Sequence, residues 1–337
     1  MRPTIALDVA VLRANARAWR EQAGVPLRAV VKANGYGWGF GTVVRALEPV
    51  VDGFVVADLD EFVRVRSLTT RPVAVLADVV PSELGRVLDA GGLPNVSSAE
   101  ALAAAVAWSR RSGRRARVRV GIRNSAGWAG LTPEGASSLA SALAAAPLDI
   151  ELWTHLTDPA AYEEQRATFE GASGTLRAAG ARVVGTDIES SQPLAGQRAA
   201  GQSVRVGVGT FGFRFGTGPP LRSAISVTAP LVERLPACGQ RIGYGSVRAP
   251  SDGWLAVLRC GYSDGFPRGS WPDLGILSVG MQYTIVTSLG GWDAGSVKLV
   301  GAETDLDHLA AGAGIGEHEL VLRLAHGRTD HSNSLAG

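Results

Sequence analysis

The stretch Arg28-Ala-Val-Val-Lys-Ala-Asn-Gly-Tyr-Gly-Trp38 places a lysine at the end of a short apolar run and follows it at once with a Gly-Tyr-Gly turn. The lysine is unusual in this chain. Of 33 basic residues only Lys32 and Lys298 are lysines, and the rest are arginine. Lysine has what arginine lacks, an amine that loses its proton when desolvated and so acts as a base or forms a Schiff base. A strand-end lysine snorkelling to solvent, in a chain with an arginine-rich coding habit, is the plainer account. The stretch alone does not separate the two.

Working outward, short β-type runs alternate with amphipathic stretches from residue 27 onward. The runs cover residues 27–33, 53–58, 72–78, 93–97, 115–122, 149–156, 181–187 and 203–208. Helical patterns lie between them. One covers 60–67 after an acidic start, and Pro81-Ser-Glu-Leu opens another with proline in its first turn. Ser98 is well placed as the N-cap of an alanine-rich stretch, and Thr132-Pro-Glu and residues 160–178 supply two more. Eight strand-helix units in about 220 residues predict a (β/α)8 barrel of the TIM type, with strands as uniformly apolar as parallel strands buried on both faces. A doubly wound open sheet is the alternative on pattern alone.

The rhythm changes after Pro219-Pro220. Beyond it β-type runs dominate, at 224–231, 253–258, 275–279, 283–287, 296–300 and 319–324. One helical segment, 305–311, interrupts them, with Gly312 placed to stop it. The expected organisation is an α/β barrel domain over residues 1–221 and a mostly β domain over 222–337, ending in a polar tail.

The bulk composition narrows the function classes. A chain of 337 residues with 46% apolar and 19% charged residues is an ordinary globular protein with room for one large and one smaller domain. A net charge of +2 argues for neither nucleic acid nor a membrane surface as partner. No apolar run approaches the roughly 20 residues that span a bilayer, and the N-terminus has no secretory pattern. Cys238 and Cys260 make no disulfide framework, and no histidines group with them as a metal site. A reduced, cytoplasmic enzyme without a metal is the expectation.

In a barrel, chemistry sits at the C-terminal ends of strands and in the loops after them. Lys32 ends the first strand, His155 the sixth, Ser190-Ser191 follow the seventh, and Arg205 with Gly207 and Gly209 lies on the eighth. A lysine for a Schiff base, hydroxyls and glycine backbone for a phosphate, and an arginine and a histidine to set electronics describe a pyridoxal-phosphate site better than a metal or sugar site. Singly, each has a plainer meaning: a core histidine, a helix cap, a tight turn. Their joint place on one rim is the argument.

Four motifs in order then carry a resemblance. Val31-Lys-Ala-Asn-Gly-Tyr-Gly37, Arg205-Val-Gly-Val-Gly-Thr-Phe-Gly212, Ile242-Gly-Tyr-Gly-Ser246 and Gly261-Tyr-Ser-Asp-Gly-Phe-Pro-Arg268 resemble alanine racemase, over nearly the whole chain. The resemblance implies a pyridoxal 5'-phosphate barrel with a C-terminal β domain, a homodimer with shared active sites, and a small amino acid or amine as substrate. It implies that Lys32 holds the cofactor and acts as one base, that Tyr36, Ser190, Gly207 and Val208 hold the phosphate, and that Arg205 faces the pyridine nitrogen. Arg205 does not give up its proton, so that nitrogen stays largely unprotonated and the cofactor is a weaker electron sink. Tyr244 matches a second base from the partner subunit, tuned by His155, because a phenol of ordinary pKa near 10 is a poor base at neutral pH. Tyr262 matches a tyrosine at the substrate entry, and Met281 a residue whose backbone meets the substrate carboxylate.

The pattern breaks on the fifth strand. Gly121 falls where the family has a lysine, and Trp128 where it has the arginine that binds the substrate carboxylate. Arg123, on the same strand face as Gly121, is a candidate replacement. His318 falls at the family's phosphate-binding tyrosine, Glu189 at an asparagine and Gln282 at an aspartate. Losing a bidentate carboxylate clamp removes a contact worth roughly 1.5–3 kcal/mol. The sequence therefore leaves three readings open: an amino-acid racemase whose substrate need not be alanine, another reaction on the same cofactor such as decarboxylation, aldol cleavage or cyclisation, and a cofactor-binding protein without turnover.

Overall fold

The computed structural model describes residues 2–124, 130–156, 159–187, 201–215, 218–244, 247–288 and 295–327. The chain opens with strand β1 (Thr4–Leu7) and a helix, Val9–Ala23, whose N-cap Asp8 accepts hydrogen bonds from the Ala10 and Val11 amides. Eight parallel strands follow: β2 (Leu27–Val30), β3 (Gly53–Val56), β4 (Val73–Asp78), β5 (Leu93–Asn95), β6 (Ala116–Gly121), β7 (Leu148–Trp153), β8 (Val183–Asp187) and β9 (Gln202–Val206). Each pairs with the next, and β9 returns to β2 to close the barrel. Six of the eight lie within the runs read from the sequence, and β7 and β9 each begin one residue earlier, at Leu148 and Gln202. Burial is wide: β3 is apolar and buried at all four positions, while β9 is buried at all five and carries Gln202, Ser203 and Arg205 there.

Helices cover the barrel where the sequence places their caps. Ser98 accepts from the Ala101 amide at the head of Ala99–Ser112, and Thr132 from the Gly135 amide at the head of Pro133–Ala145. Pro81 and Pro133 each stand in a first turn, where a missing N–H costs nothing.

The C-terminal part is mostly β. Its strands are β10 (Ile225–Pro236), β11 (Arg241–Ile242), β12 (Val247–Arg248), β13 (Trp254–Leu258), β14 (Ile276–Val279), β15 (Thr284–Ser288) and β16 (Ser296–Val300). One antiparallel sheet runs β1-β10-β13-β15-β14, with β16 also paired to β10; β11 and β12 form a separate hairpin. The N-terminal strand β1 therefore belongs to this sheet, pairing Thr4 with Thr228 through Leu7 with Ile225.

Three local expectations are corrected. The run at 319–324 is not a strand but part of a helix, Glu317–His326. Its buried residues Leu320, Val321, Leu324 and Ala325 recur at helical spacing, which a six-residue apolar window conceals. The helix Leu306–Ala313 runs past Gly312 and ends at Gly314, whose φ of 66° is left-handed; Gly312 packs instead against the Trp271 indole, with no room for a Cβ. The first barrel strand stops at Val30, not residue 33, because the chain then turns left-handed. Among the described residues no helix is long and apolar enough to cross a membrane.

Candidate active site

Lys32 follows the end of β2, and the backbone after it is a left-handed helical turn. Ala33, Asn34 and Gly35 have φ of 55°, 56° and 65°, and Tyr36 has φ of 54°. For a non-glycine residue that conformation costs roughly 1–2 kcal/mol each, so the turn needs outside support. Glu61 gives it, accepting from the Ala33 amide at 2.6 Å through one oxygen and from the Ala57 amide at 2.8 Å through the other. Asn34 Oδ1 accepts from the Phe40 amide at 3.2 Å. The turn leaves Lys32 half-buried and lowers Tyr36 into the core at 2% exposure. Burial lowers the Lys32 amine below the ordinary lysine value, with Glu61 opposing.

Beneath the rim, charged side chains fill the barrel. Arg28 of β2 pairs with both oxygens of Glu151 on β7, its Nη2 donating to Oε2 at 2.6 Å. Arg119 of β6 donates through Nε to Glu151 Oε1 at 3.1 Å and through Nη2 to Asp187 Oδ2 at 2.7 Å. Arg205 of β9 lies 2.7 Å from Asp187 Oδ1, without hydrogen-bond alignment, and donates to the carbonyls of Thr154 at 2.7 Å and Asp187 at 3.2 Å. The Trp153 ring lies 4.8 Å from the Arg119 guanidinium and 5.2 Å from that of Arg205. Burial opposes ionisation of Glu151, but the hydrogen bonds and charge of Arg28, helped by Arg119 and Arg117, hold its carboxyl below the usual range. A buried set of this kind is poor evidence for stability. What it does is fix Arg205, which is 2% exposed, in one orientation at the rim.

Two histidines face the same place. His155, just past β7, is pushed down to about 3 by burial, then by the charges of Arg205, Lys32 and His318, so its imidazole is neutral at pH 7. His318, near the start of helix Glu317–His326, is also lowered, by burial first and then by Lys32, and its ring lies 5.8 Å from that of Tyr36. Tyr36 packs edge-on against Phe211 at 5.6 Å. At Gly207 a Cβ would collide with the Tyr36 hydroxyl and meet Val30 Cβ at 3.5 Å, so only glycine lets backbone and phenol meet there. Val208 opens a short 3₁₀ turn, Val208–Phe211, and is buried.

The remaining sequence-derived residues lie elsewhere. Tyr244 sits at the tip of the β11–β12 hairpin and is 67% exposed. Gly243 before it has φ of 58°, and a Cβ there would strike Ser278 on β14. A Tyr244–Tyr262 hydrogen bond raises the Tyr262 phenol, and Arg268 lies 5.9 Å from the Tyr244 ring and 6.0 Å from that of Tyr262. Met281 is 51% exposed, and its carbonyl accepts from the Ser263 amide at 2.9 Å. Arg123 is exposed beyond the end of β6, with its amide bonded to the Leu131 carbonyl at 2.8 Å. Ser190, Glu189 and Trp128 lie outside the described residues.

Comparison with known proteins decides the lineage. The family model for the alanine racemase N-terminal domain matches residues 7–214. The chain belongs to the alanine racemase family. It is 31% identical over 357 residues to the alanine racemase of Azoarcus sp. (strain BH72), covering 95% of this chain and 97% of that protein. It is 33% identical over 287 residues to that of Symbiobacterium thermophilum, covering 80% and 76%. Among solved structures, alanine racemase from Streptomyces coelicolor A3(2) superposes with a TM-score of 0.78 at 25% identity, covering 96% of each chain. Alanine racemase from Bartonella henselae, described with covalently bound pyridoxal phosphate, matches in fold with a TM-score of 0.77 at 21% identity, covering 96% of this chain and 97% of that one.

Against this family frame, the sequence reading omitted the residues that brace the site: Arg28, Arg119, Glu151, Asp187 and Glu61. A signal existed for four of them. Arg28, Arg119, Glu151 and Asp187 are charges set inside apolar strand runs, and a buried charge requires a partner. Glu61 reads as an ordinary first-turn acid of its helix.

Proposed function

We infer that this protein is a pyridoxal-phosphate-dependent amino-acid racemase, acting as a cytoplasmic homodimer through two bases, Lys32 and Tyr244 of the partner subunit. The observation that carries the reading is a half-buried lysine, its amine depressed by desolvation, on the rim where Arg205, His155 and Tyr36 gather. The residues fit the cofactor: a reactive amine follows β2, and four residues on the Tyr36 hydroxyl stands against the Gly207 backbone, where a Cβ would strike it. When bound, pyridoxal phosphate supplies a ring that withdraws electrons from the substrate Cα.

The rest is the work of the chain. Lys32 Nζ holds the cofactor and moves a proton at Cα on one face of the substrate. Tyr36 Oη, the Gly207 and Val208 backbone and Ser190 hold the phosphate. The Arg205 guanidinium, locked by Asp187 and Thr154, faces the ring nitrogen and keeps its own proton. Tyr244 moves the proton on the opposite face, and His155, neutral beside Arg205, is the group that tunes its phenol. Exposure of Tyr244 at the tip of its hairpin suits a group that works in a neighbouring subunit's site. Tyr262 lines the entry, and the Met281 backbone and Arg123 meet the substrate carboxylate, with Trp128 beside it. The division into a barrel over 1–221 and a β domain over 222–337 belongs to this reading, with β1 crossing to the sheet. Relatives named alanine racemase favour racemisation over decarboxylation, aldol cleavage or mere cofactor storage, and leave the amino acid open.

One experiment tests the reading. Purified protein is expected to be yellow, to lose that absorbance in Lys32→Ala, and to exchange the Cα proton of an amino acid for deuterium in D₂O with loss of optical rotation. A colourless protein that takes up no cofactor sinks the reading, and CO₂ release without exchange replaces racemisation with another reaction.

A further inference from the structure

We propose that Glu61 is a positioning residue for Lys32, clamping the left-handed turn to the rim of β3 and setting a negative charge beside the amine. Its place in the helix Leu59–Arg66 explains only part of what its side chain does. Asp58 is the N-cap and accepts from the Glu61 amide at 3.0 Å, the first half of a capping box. In a capping box the acid at the third position returns to the N-cap amide. Here one Glu61 oxygen reaches a residue further back, to the Ala57 amide at 2.8 Å, and the other leaves its own segment for the Ala33 amide at 2.6 Å. Ala33 is the first residue after Lys32 and has no conformational reason of its own to be left-handed, with φ of 55°. The bond from Glu61 therefore holds the peptide that aims Lys32.

The charge follows from the same geometry. With an N–H donated to each oxygen, the Glu61 carboxyl is fixed in place against the turn that carries Lys32. Lys32 is faced by Glu61 from helix Leu59–Arg66, by His155 from the loop after β7 and by His318 from helix Glu317–His326, with Tyr36 on its own turn and Arg205 beside His155. Arg64 reaches Asn34 Oδ1 at 3.5 Å on the outer side of the turn. In this set the acidic member is Glu61, and it opposes the desolvation that lowers the amine. Burial and the Glu61 charge thus act on the Lys32 amine in opposite directions.

The inference rests on reading Lys32 as the cofactor lysine, but its test does not need the cofactor. Because Lys298 is the only other lysine, a Lys298→Arg background leaves Lys32 as the sole ε-amine of the full chain. Its titration can then be followed by ¹³C reductive methylation and NMR, on full-length protein first freed of any aldehyde cofactor with hydroxylamine. Glu61→Gln, which keeps the shape and loses the charge, is expected to lower the Lys32 midpoint by about one unit. Glu61→Asp keeps the charge but spans only one of the two amides. It is expected to hold the midpoint within a few tenths of a unit while amide exchange at Ala33 or Ala57 quickens about tenfold. An unshifted midpoint in Glu61→Gln, or equal shifts in both variants, overturns the electrostatic role. Should Glu61→Gln not fold, the exchange measurement in Glu61→Asp decides, and unchanged protection at both amides overturns the clamp. If the protein binds no pyridoxal phosphate but the midpoint moves as stated, the functional reading fails and the Glu61 assignment stands.

Discussion

The barrel rim and the tip of the β domain hold their charged and aromatic groups in opposite ways. On the rim, Arg205 is 2% exposed and is tied to Asp187 and to two backbone carbonyls. At the β11–β12 hairpin, Tyr244 is 67% exposed, joined to Tyr262 and fanned by Arg268. The first arrangement fixes its groups in one orientation, as the proposed cofactor site requires. The second presents a phenol on a short hairpin, with most of its surface turned to solvent. Half of the proposed site is thus built by one chain, and the other half is offered outward.

The largest expected effect tests that division. Tyr244→Phe removes the phenolic proton acceptor and leaves the ring packing. Racemisation is expected to fall by about 10²–10⁴-fold, the usual worth of a positioned acid-base group. Cofactor absorbance and uptake, which depend on the rim, are expected to stay within twofold. Measured together by polarimetry and cofactor titration, a parallel loss of both would merge the two regions and remove the distinction.

How much of this was legible in the sequence divides along the same line. The barrel strands and Lys32 were readable because parallel strands buried on both faces are uniformly apolar, and because a lone lysine stands out among arginines. Tyr244 was readable only through its Gly-Tyr-Gly motif, since no local pattern marks an exposed hairpin tip as part of a site. A turn after Lys32 was readable from its glycines, but its left-handed backbone was not, because Ala33 and Tyr36 adopt it against their own preference, Ala33 under a bond from Glu61, 28 residues away in sequence. The pairing of Thr4 with Thr228 is invisible for the same reason, since long-range pairing carries no local periodicity. The 317–326 helix was misread because six apolar-rich residues fit either period when the flanking acids are ignored.

The next effect sharpens the contrast in stability. Asp187→Asn would take from Arg205 the carboxylate it lies against and leave Arg28 and Arg119 with Glu151, in a space where Arg119 and Asp187 are fully buried. Breaking a buried ion set by removing one partner costs about 3–5 kcal/mol. Glu303→Gln, which breaks an Arg222 pair that is 60% and 85% exposed on its two sides, is the control and is expected to cost less than about 0.5 kcal/mol. Urea unfolding of both variants reads the difference directly. Equal midpoints would mean that the barrel charges are already relaxed by water, and that Arg205 is not held as rigidly as its contacts imply.

The smallest effect concerns pH and separates His155 from the other groups on the rim. In the folded protein its imidazole is pushed down to about 3 by burial and by the positive charges of Arg205, Lys32 and His318. In the unfolded chain it titrates near 6.5. Between these values the unfolded state binds the proton that the folded state refuses, so the unfolded chain is favoured as pH falls. Stability linked to His155 is therefore fully present above about pH 6.5 and is lost progressively toward pH 3. The expected loss between pH 7 and pH 5 is on the order of 1–2 kcal/mol. His318, lowered in the same direction, adds to the slope and does not cancel it. His155→Gln removes one titrating group and leaves the other, so it should flatten the wild-type slope of unfolding free energy against pH in this window without abolishing it. A variant with the wild-type slope would show that His155 takes up protons in the folded state as readily as in the unfolded chain. The imidazole would then charge near neutral pH, and the tuning of Tyr244 proposed for a neutral His155 would fail at that residue.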